Sequence, residues 1–248
     1  MTAPTHVVPV GGQMSGMPIE KVNAGVAGVG RFTALWERRV ASPPSRAADV
    51  VFADLGALYG APYRKFHNLC HIQDCLCRFD ESAPYLVDPD AVEFALWFHD
   101  AVYECGATTN EARSAEMFLE LSAGAAFGFR HRVCSLIMAT RHRRRVSDND
   151  KRFIVDIDLS GFGAPWEEFM RNGQLLREES GRQNEHEYQT GQLNFLGRLQ
   201  RRPTVFSTDY FRDKYEATAR ANLSRVLAEL AAKGYATPSR RPRRHEAV

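Results

Sequence analysis

The chain has 248 residues, of which 44% are hydrophobic, 10% aromatic and 25% charged, and its 32 Lys and Arg against 30 Asp and Glu leave a net charge of +2. That length can bury a sizeable core, and apolar and charged fractions near the globular average exclude a mostly disordered or fibrous polypeptide. No apolar run approaches the roughly 18 residues needed to cross a bilayer, and the near-balanced charge gives no global pull toward polyanions.

Residues 1–29 carry almost no charge and no sustained period, so they are expected to form a flexible leader. They lack the basic segment followed by an apolar stretch that marks a secretory signal, and a cytoplasmic protein is expected. The five cysteines are odd in number and spaced C-x4-C-x-C, unlike the paired C-x2-C of structural zinc sites, which predicts unpaired thiols. A basic tail, 236–248, is expected to stay unpacked, leaving one domain over 30–235.

Within that domain the signals are helical. Phe32, Leu35, Trp36 and Val40 recur at three and four before Pro43-Pro44, and Val51, Leu55 and Leu58 repeat the pattern up to Gly60. A third helix is predicted over His67 to Phe79. Asp88 reads as an N-cap with Pro89 at the first helical position, and Thr108-x-x-Glu111 reads as a capping box opening a helix through Leu121. Helices around 129–142 and 150–160 follow, then one from Pro165 to Glu179. A stripe of Tyr215, Ala219, Leu223, Val226 and Leu230 closes the domain. Arg152 to Ile157 has strand propensity but no evident pairing partner, so it is read as helix. The expected fold class is all-α, a single-domain helical bundle.

Chemistry concentrates in a few polar residues set among apolar ones. His67 and His71 are four apart, hence on one face of the predicted helix. His99-Asp100 follows Leu96, Trp97 and Phe98, and Asp156 and Asp158 alternate with Ile154, Val155, Ile157 and Leu159. Carboxylates in such surroundings are costly unless paired or bound to a cation. Imidazole with carboxylate suits a divalent metal (Mn, Zn, Fe, Ni, Co or Mg) better than calcium, and helices can bring such donors together inside a bundle. On one helix Asp156 and Asp158 point in different directions, so only one can face a shared ion. Glu104, four residues after Asp100, is placed on the same predicted helical face, where it can orient or deprotonate a metal-bound water. Arg64 and Lys65 either meet a substrate phosphate or form a solvated face. The run Arg141-His142-Arg143-Arg144-Arg145 either neutralises a helix C-terminus or draws in an anion.

The order His71, then His99-Asp100, then Asp158 resembles the H…HD…D signature of the HD-domain metal-dependent phosphohydrolase superfamily. More narrowly, YRKFHNLCHI, WFHDAVYE, ATRH and DIDLSGFG are similar to a bacterial group usually labelled predicted HD-superfamily phosphohydrolases. The resemblance covers about residues 31–235. It implies an HD-type helical bundle in which His71, His99, Asp100 and Asp158 bind one divalent metal, and it favours Asp158 over Asp156. It also implies hydrolysis of a phosphate ester, often of a nucleotide, by a metal-bound water. By position Glu104 falls where several members handle that water, and His142 falls where binuclear members carry a further histidine. His67, Arg64, Lys65 and His142 are the candidate substrate-binding residues, and the expected partner is a small phosphorylated molecule, with neither a membrane nor a nucleic acid favoured. The alternative is a metal-containing nucleotide-binding or sensor module without turnover.

Overall fold

The structure, a computed structural model, describes residues 27–40, 46–143, 145–181 and 184–235. Most of the leader (1–26), Pro43-Pro44, Arg144 and the tail 236–248 therefore lie outside the described residues. Among the described residues there are ten α-helices, in chain order α1 Val29–Arg39, α2 Ala48–Tyr59, α3 Leu69–Ser82, α4 Pro89–Phe98, α5 Asn110–Leu121, α6 Phe127–Ile137, α7 Asn149–Asp158, α8 Trp166–Glu179, α9 Glu185–Gln200 and α10 Asp209–Ala232. No strand occurs among the described residues, so the all-α expectation holds, and Arg152 to Ile157 lies within α7. The expected leader ends early: Ala27 is fully buried and α1 already begins at Val29.

The bundle is organised around α4. Asp88 caps it by accepting the Ala91 N–H at 3.1 Å, with Pro89 in the first turn, and every residue from Ala91 to Phe98 is buried. A helix without a polar face must be enclosed on all sides. Here α1, α3, α6 and α7 all contact α4, and Phe32, Trp36, Phe94, Trp97, Phe98 and Phe118 form a contiguous aromatic core. The acids within it are paired. Arg31 of α1 donates to Glu93 at 2.7 Å while forking onto Asp80 of α3. Asp150 of α7, fully buried, accepts the Val87 and Asp88 N–H groups and an Arg132 N–H.

Several boundaries differ from expectation. The third helix starts at Leu69, not His67, because Asn68 is its N-cap and accepts the Cys70 N–H at 2.8 Å. The Thr108/Glu111 capping box does not form. Thr109 precedes α5 without a side-chain cap bond, and Asn110 instead holds the Glu104 backbone at both its N–H and its carbonyl. The predicted helix 129–142 ends at Ile137 and continues as a 3₁₀ turn over Met138–Arg141. Helix α9 had no clear sequence signal, since little beyond Leu193, Leu196, Gly197 and Leu199 is buried along it.

The same packing fixes the end of α7. A 3₁₀ turn, Leu159–Gly163, follows Asp158 and lies against α10. Asn222 of α10 donates to the Phe162 and Ala164 carbonyls at 2.9 and 2.8 Å. A Cβ at Gly163 would sit 2.6 Å from Tyr215 Cβ, so only glycine allows this approach.

Candidate metal centre

Where α4 ends, each freed carbonyl finds a donor, and that bonding presents His99 and Asp100 as a rigid turn. Ala95 O accepts His99 N–H, Leu96 O accepts His99 Nδ1–H at 2.9 Å, Trp97 O accepts the Tyr59 hydroxyl at 2.9 Å, and Phe98 O accepts Ala101 N–H. Arg64, itself buried, donates to the carbonyls of His67, Asp100 and Ala101 at 3.1, 2.6 and 2.7 Å. With Nδ1 donating to Leu96 O, His99 turns Nε2 inward, the orientation a ligating imidazole held by a backbone carbonyl takes.

Three other stretches meet it. His71 comes from the first turn of α3, Asp158 from the last residue of α7, and His142 from the residue after the 3₁₀ turn that follows α6. His71 Nε2 lies 3.3 Å from His99 Nε2 and 3.3 Å from Asp158 Oδ1. Asp100 Oδ2 is 3.0 Å from His99 Nε2 and 3.6 Å from His71 Nε2, and Asp158 Oδ1 is 3.6 Å from His99 Nε2. Charge-assisted hydrogen bonds close to about 2.7–2.9 Å, so most of these gaps are long for proton sharing. Donors each about 2.0–2.2 Å from one cation would stand roughly 3.0–3.5 Å apart, close to what is seen. Two Nε2 atoms facing each other at 3.3 Å can share at most one proton, whereas both lone pairs can face a cation.

His71, Cys75, His99 and Asp158 each bring one donor atom to within 4.8 Å of the others, a group able to hold a metal ion. Cys75 was not singled out in the sequence, although it follows His71 at i+4 and so shares its helical face. Its Sγ lies 3.9 and 3.7 Å from Nδ1 and Nε2 of His71, nearly equidistant. That places the sulfur beside the ring and off the Nε2 lone-pair direction, whereas Asp100 Oδ2 stands 3.0 Å from His99 Nε2. Burial also pushes the Cys75 thiol well above its usual range, keeping it protonated.

The electrostatics favour positive charge at this point. Burial opposes ionisation of both acids, but His99 and His67 hold Asp100 below the usual carboxylate range, and His142, His71 and His99 hold Asp158 well below it. Burial likewise opposes protonation of His99, yet Asp100 and Asp158 raise it well above its ordinary value. His142 Nε2 bonds the outer oxygen of Asp158, Oδ2, at 2.8 Å. To reach it, His142 adopts φ 51°, the left-handed region that is rare for a residue with a Cβ, and among the described residues no other non-glycine does so.

The remaining candidates distribute as follows. Asp156, two residues before Asp158, faces the other way and accepts the N–H groups of Ser207 and Thr208 and the Thr208 hydroxyl, tying α7 to the start of α10. Burial pushes its carboxyl up to about 6 despite those bonds. His67 is not one turn before His71 on a helix. It precedes the N-cap, stacks on Tyr103 at 4.2 Å, and bonds Glu179 of α8 through Nδ1. Glu179 also accepts the Phe66 and His67 N–H groups at 2.9 Å, and no sequence signal marked it, since it stands among ordinary helix-surface residues. Arg64, expected near phosphate, is committed to backbone carbonyls, and Lys65 is exposed. Glu104, expected on the Asp100 face of a helix, lies in the loop after α4. Its side chain is 72% exposed and pairs with Arg113, which removes it from water handling at the cluster.

Asp158 also borders a cavity of about 400 Å³ walled by Phe66, Tyr103, Phe162, Phe169 and Phe195. No helix among the described residues is long and apolar enough to cross a membrane. No family model, no curated protein and no solved structure matches the chain.

Proposed function

We propose that the chain is a metal-dependent phosphohydrolase acting on a small phosphate ester. The observation that carries this reading is the convergence of His71, His99, Asp100 and Asp158, from three separate stretches of chain, on one point beside an aromatic cavity. The H…HD…D order of the same four residues supports it, since it resembles the HD-domain superfamily.

These four residues would hold the ion. A divalent cation supplies Lewis-acid stabilisation of a phosphoryl oxygen and a lowered pKa for water. The protein's own groups do the rest. His99 is oriented by Leu96 O, and Asp158 is held by His142 so that Oδ1 faces the histidines. The aromatic cavity takes the apolar or base-like part of the ester and excludes water from it. With Glu104 turned to solvent, the His67–Glu179 pair is the imidazole–carboxylate dyad best placed to give a proton to the departing alkoxide.

The test is elemental analysis of protein purified without chelator, then a phosphate-release screen over monoesters and nucleotides with that metal restored. His99→Ala and Asp100→Ala should each lose both metal content and turnover while the helical circular dichroism persists. Full turnover in either variant refutes the assignment. The exposure of Glu104 favours a second reading, a binding or sensing module that holds the same ligand without hydrolysing it. Turnover by the reconstituted protein above that of Asp100→Ala eliminates that reading.

A further inference from the structure

Arginine is concentrated on one side of the cluster. Arg141, Arg143, Arg198 and Arg202 line a cavity of about 520 Å³ together with His142 and Phe195. Arg202 donates to the His142 carbonyl at 3.0 Å, and Arg141 donates to Thr108 O with Glu111 3.7 Å away. Among the described residues no carboxylate forms an ion pair with Arg143, Arg198 or Arg202. Burial, Arg145 and Arg198 together push the Arg202 guanidinium below its ordinary range, and the charge of Asp156 offsets this only in part. His142 Nδ1, on the ring whose other nitrogen holds Asp158, is buried and has no hydrogen-bond partner. A hollow lined by four guanidinium groups, three of them without an ion pair among the described residues, suits an oxyanion, because a planar guanidinium fork can donate parallel N–H bonds to it.

The location says what kind of anion. Phe195 lines both this hollow and the aromatic cavity, and His142 links the hollow to Asp158. A ligand with phosphate at the cluster and an apolar body in the aromatic cavity would thus have a second charged end beside the arginines. We propose that this hollow is an anion subsite for a second phosphate of the substrate, which makes the substrate class a small bisphosphorylated or diphosphate molecule. The hollow's small size, about 520 Å³, and the chain's small net charge of +2 favour such a molecule over a polynucleotide, which needs an extended basic track. The catalytic use of the subsite rests on the phosphohydrolase reading, whereas binding there does not.

The two are separated by using chelator-treated Asp100→Ala protein titrated with inorganic pyrophosphate by calorimetry. Arg143 and Arg198 are both exposed, so Arg143→Ala/Arg198→Ala should keep its helical circular dichroism. Pyrophosphate should bind the Asp100→Ala protein, and adding the two arginine substitutions should weaken it about tenfold or more. Absent binding, or affinity unchanged by the arginine substitutions, overturns the subsite whether or not the protein hydrolyses esters. With metal-loaded enzyme, the same two substitutions should lower the ratio of kcat/KM for a bisphosphorylated ester over its monophosphate about tenfold, and an unchanged ratio overturns the substrate class. Tighter binding of a single-stranded oligonucleotide than of pyrophosphate, with a steep salt dependence, assigns the hollow to nucleic acid and overturns the proposal.

Discussion

Glu179→Gln is the substitution whose consequences follow most directly from the structure. The Glu179 side chain is 1% exposed and joins the end of α8 to the segment entering α3 by accepting from Phe66 N, His67 N and His67 Nδ1. Burial opposes its charge, yet the His67 bond and charge and the two backbone N–H groups bring its pKa from 4.5 down to about 2. At about 1.36 kcal/mol per pH unit that difference sets an upper bound near 3.4 kcal/mol. The His67 side chain is 18% exposed, so solvent screens part of this and roughly 2 kcal/mol should remain.

The sign follows from the direction of each shift. A depressed carboxyl stabilises the folded state above its unfolded pKa of 4.5 and loses that effect as pH falls toward 2. His67 is raised, so its contribution is present below 6.5 and fades as pH climbs through its folded value. The pair is therefore strongest between these limits. Urea unfolding of wild type and Glu179→Gln, followed by far-ultraviolet circular dichroism, should give a difference of about 2 kcal/mol near pH 6 that falls to about half by pH 3 and approaches zero only near pH 2. A difference that is constant with pH, or below about 0.5 kcal/mol near pH 6, refutes the reasoning.

Other substitutions separate structural acids from those at the cluster. Asp156→Ala should lower stability by about 2–4 kcal/mol, because buried donors at the start of α10 lose their acceptor, while metal content is retained; Asp158→Ala should do the reverse, and equilibrium unfolding with elemental analysis reads both. Arg64→Ala should cost about 3 kcal/mol or more and weaken metal retention, since the carbonyls of His67, Asp100 and Ala101 lose their donor; Arg64→Lys should not restore it, because one ammonium cannot span that fork. Glu104→Gln should leave kcat/KM within about twofold, and a drop of about a hundredfold would return Glu104 to the chemistry.

Much of the fold was legible because it rests on local rules. The Asp88-Pro89 start of α4 and the buried stripe of α10 appear where capping and periodicity place them. The pairing of His99 with Asp100 stood out because ionisable groups rarely follow such an apolar run. What escaped were features set by tertiary contact. Asn68 looked like helix interior and is a cap, while Thr108 looked like a cap and is not. Glu104 was placed by helical spacing, but α4 stops at Phe98, so the i+4 rule did not apply. Arg64 and Glu179 carry ordinary surface chemistry, and only the folded chain shows each one buried against backbone groups from distant segments.

The seating of His99 at the end of α4 has a kinetic consequence. Because Ala91 to His99 is the most enclosed stretch of the bundle, its amides should exchange with solvent only when the whole domain opens. The Glu179–His67 contact closes the other side from α8, a helix with almost no buried side chains, so that wall can detach at far lower free energy. The donors are thus anchored to global cooperativity while the wall beside them should open by a local, faster fluctuation, which would give a ligand a way in without loosening them.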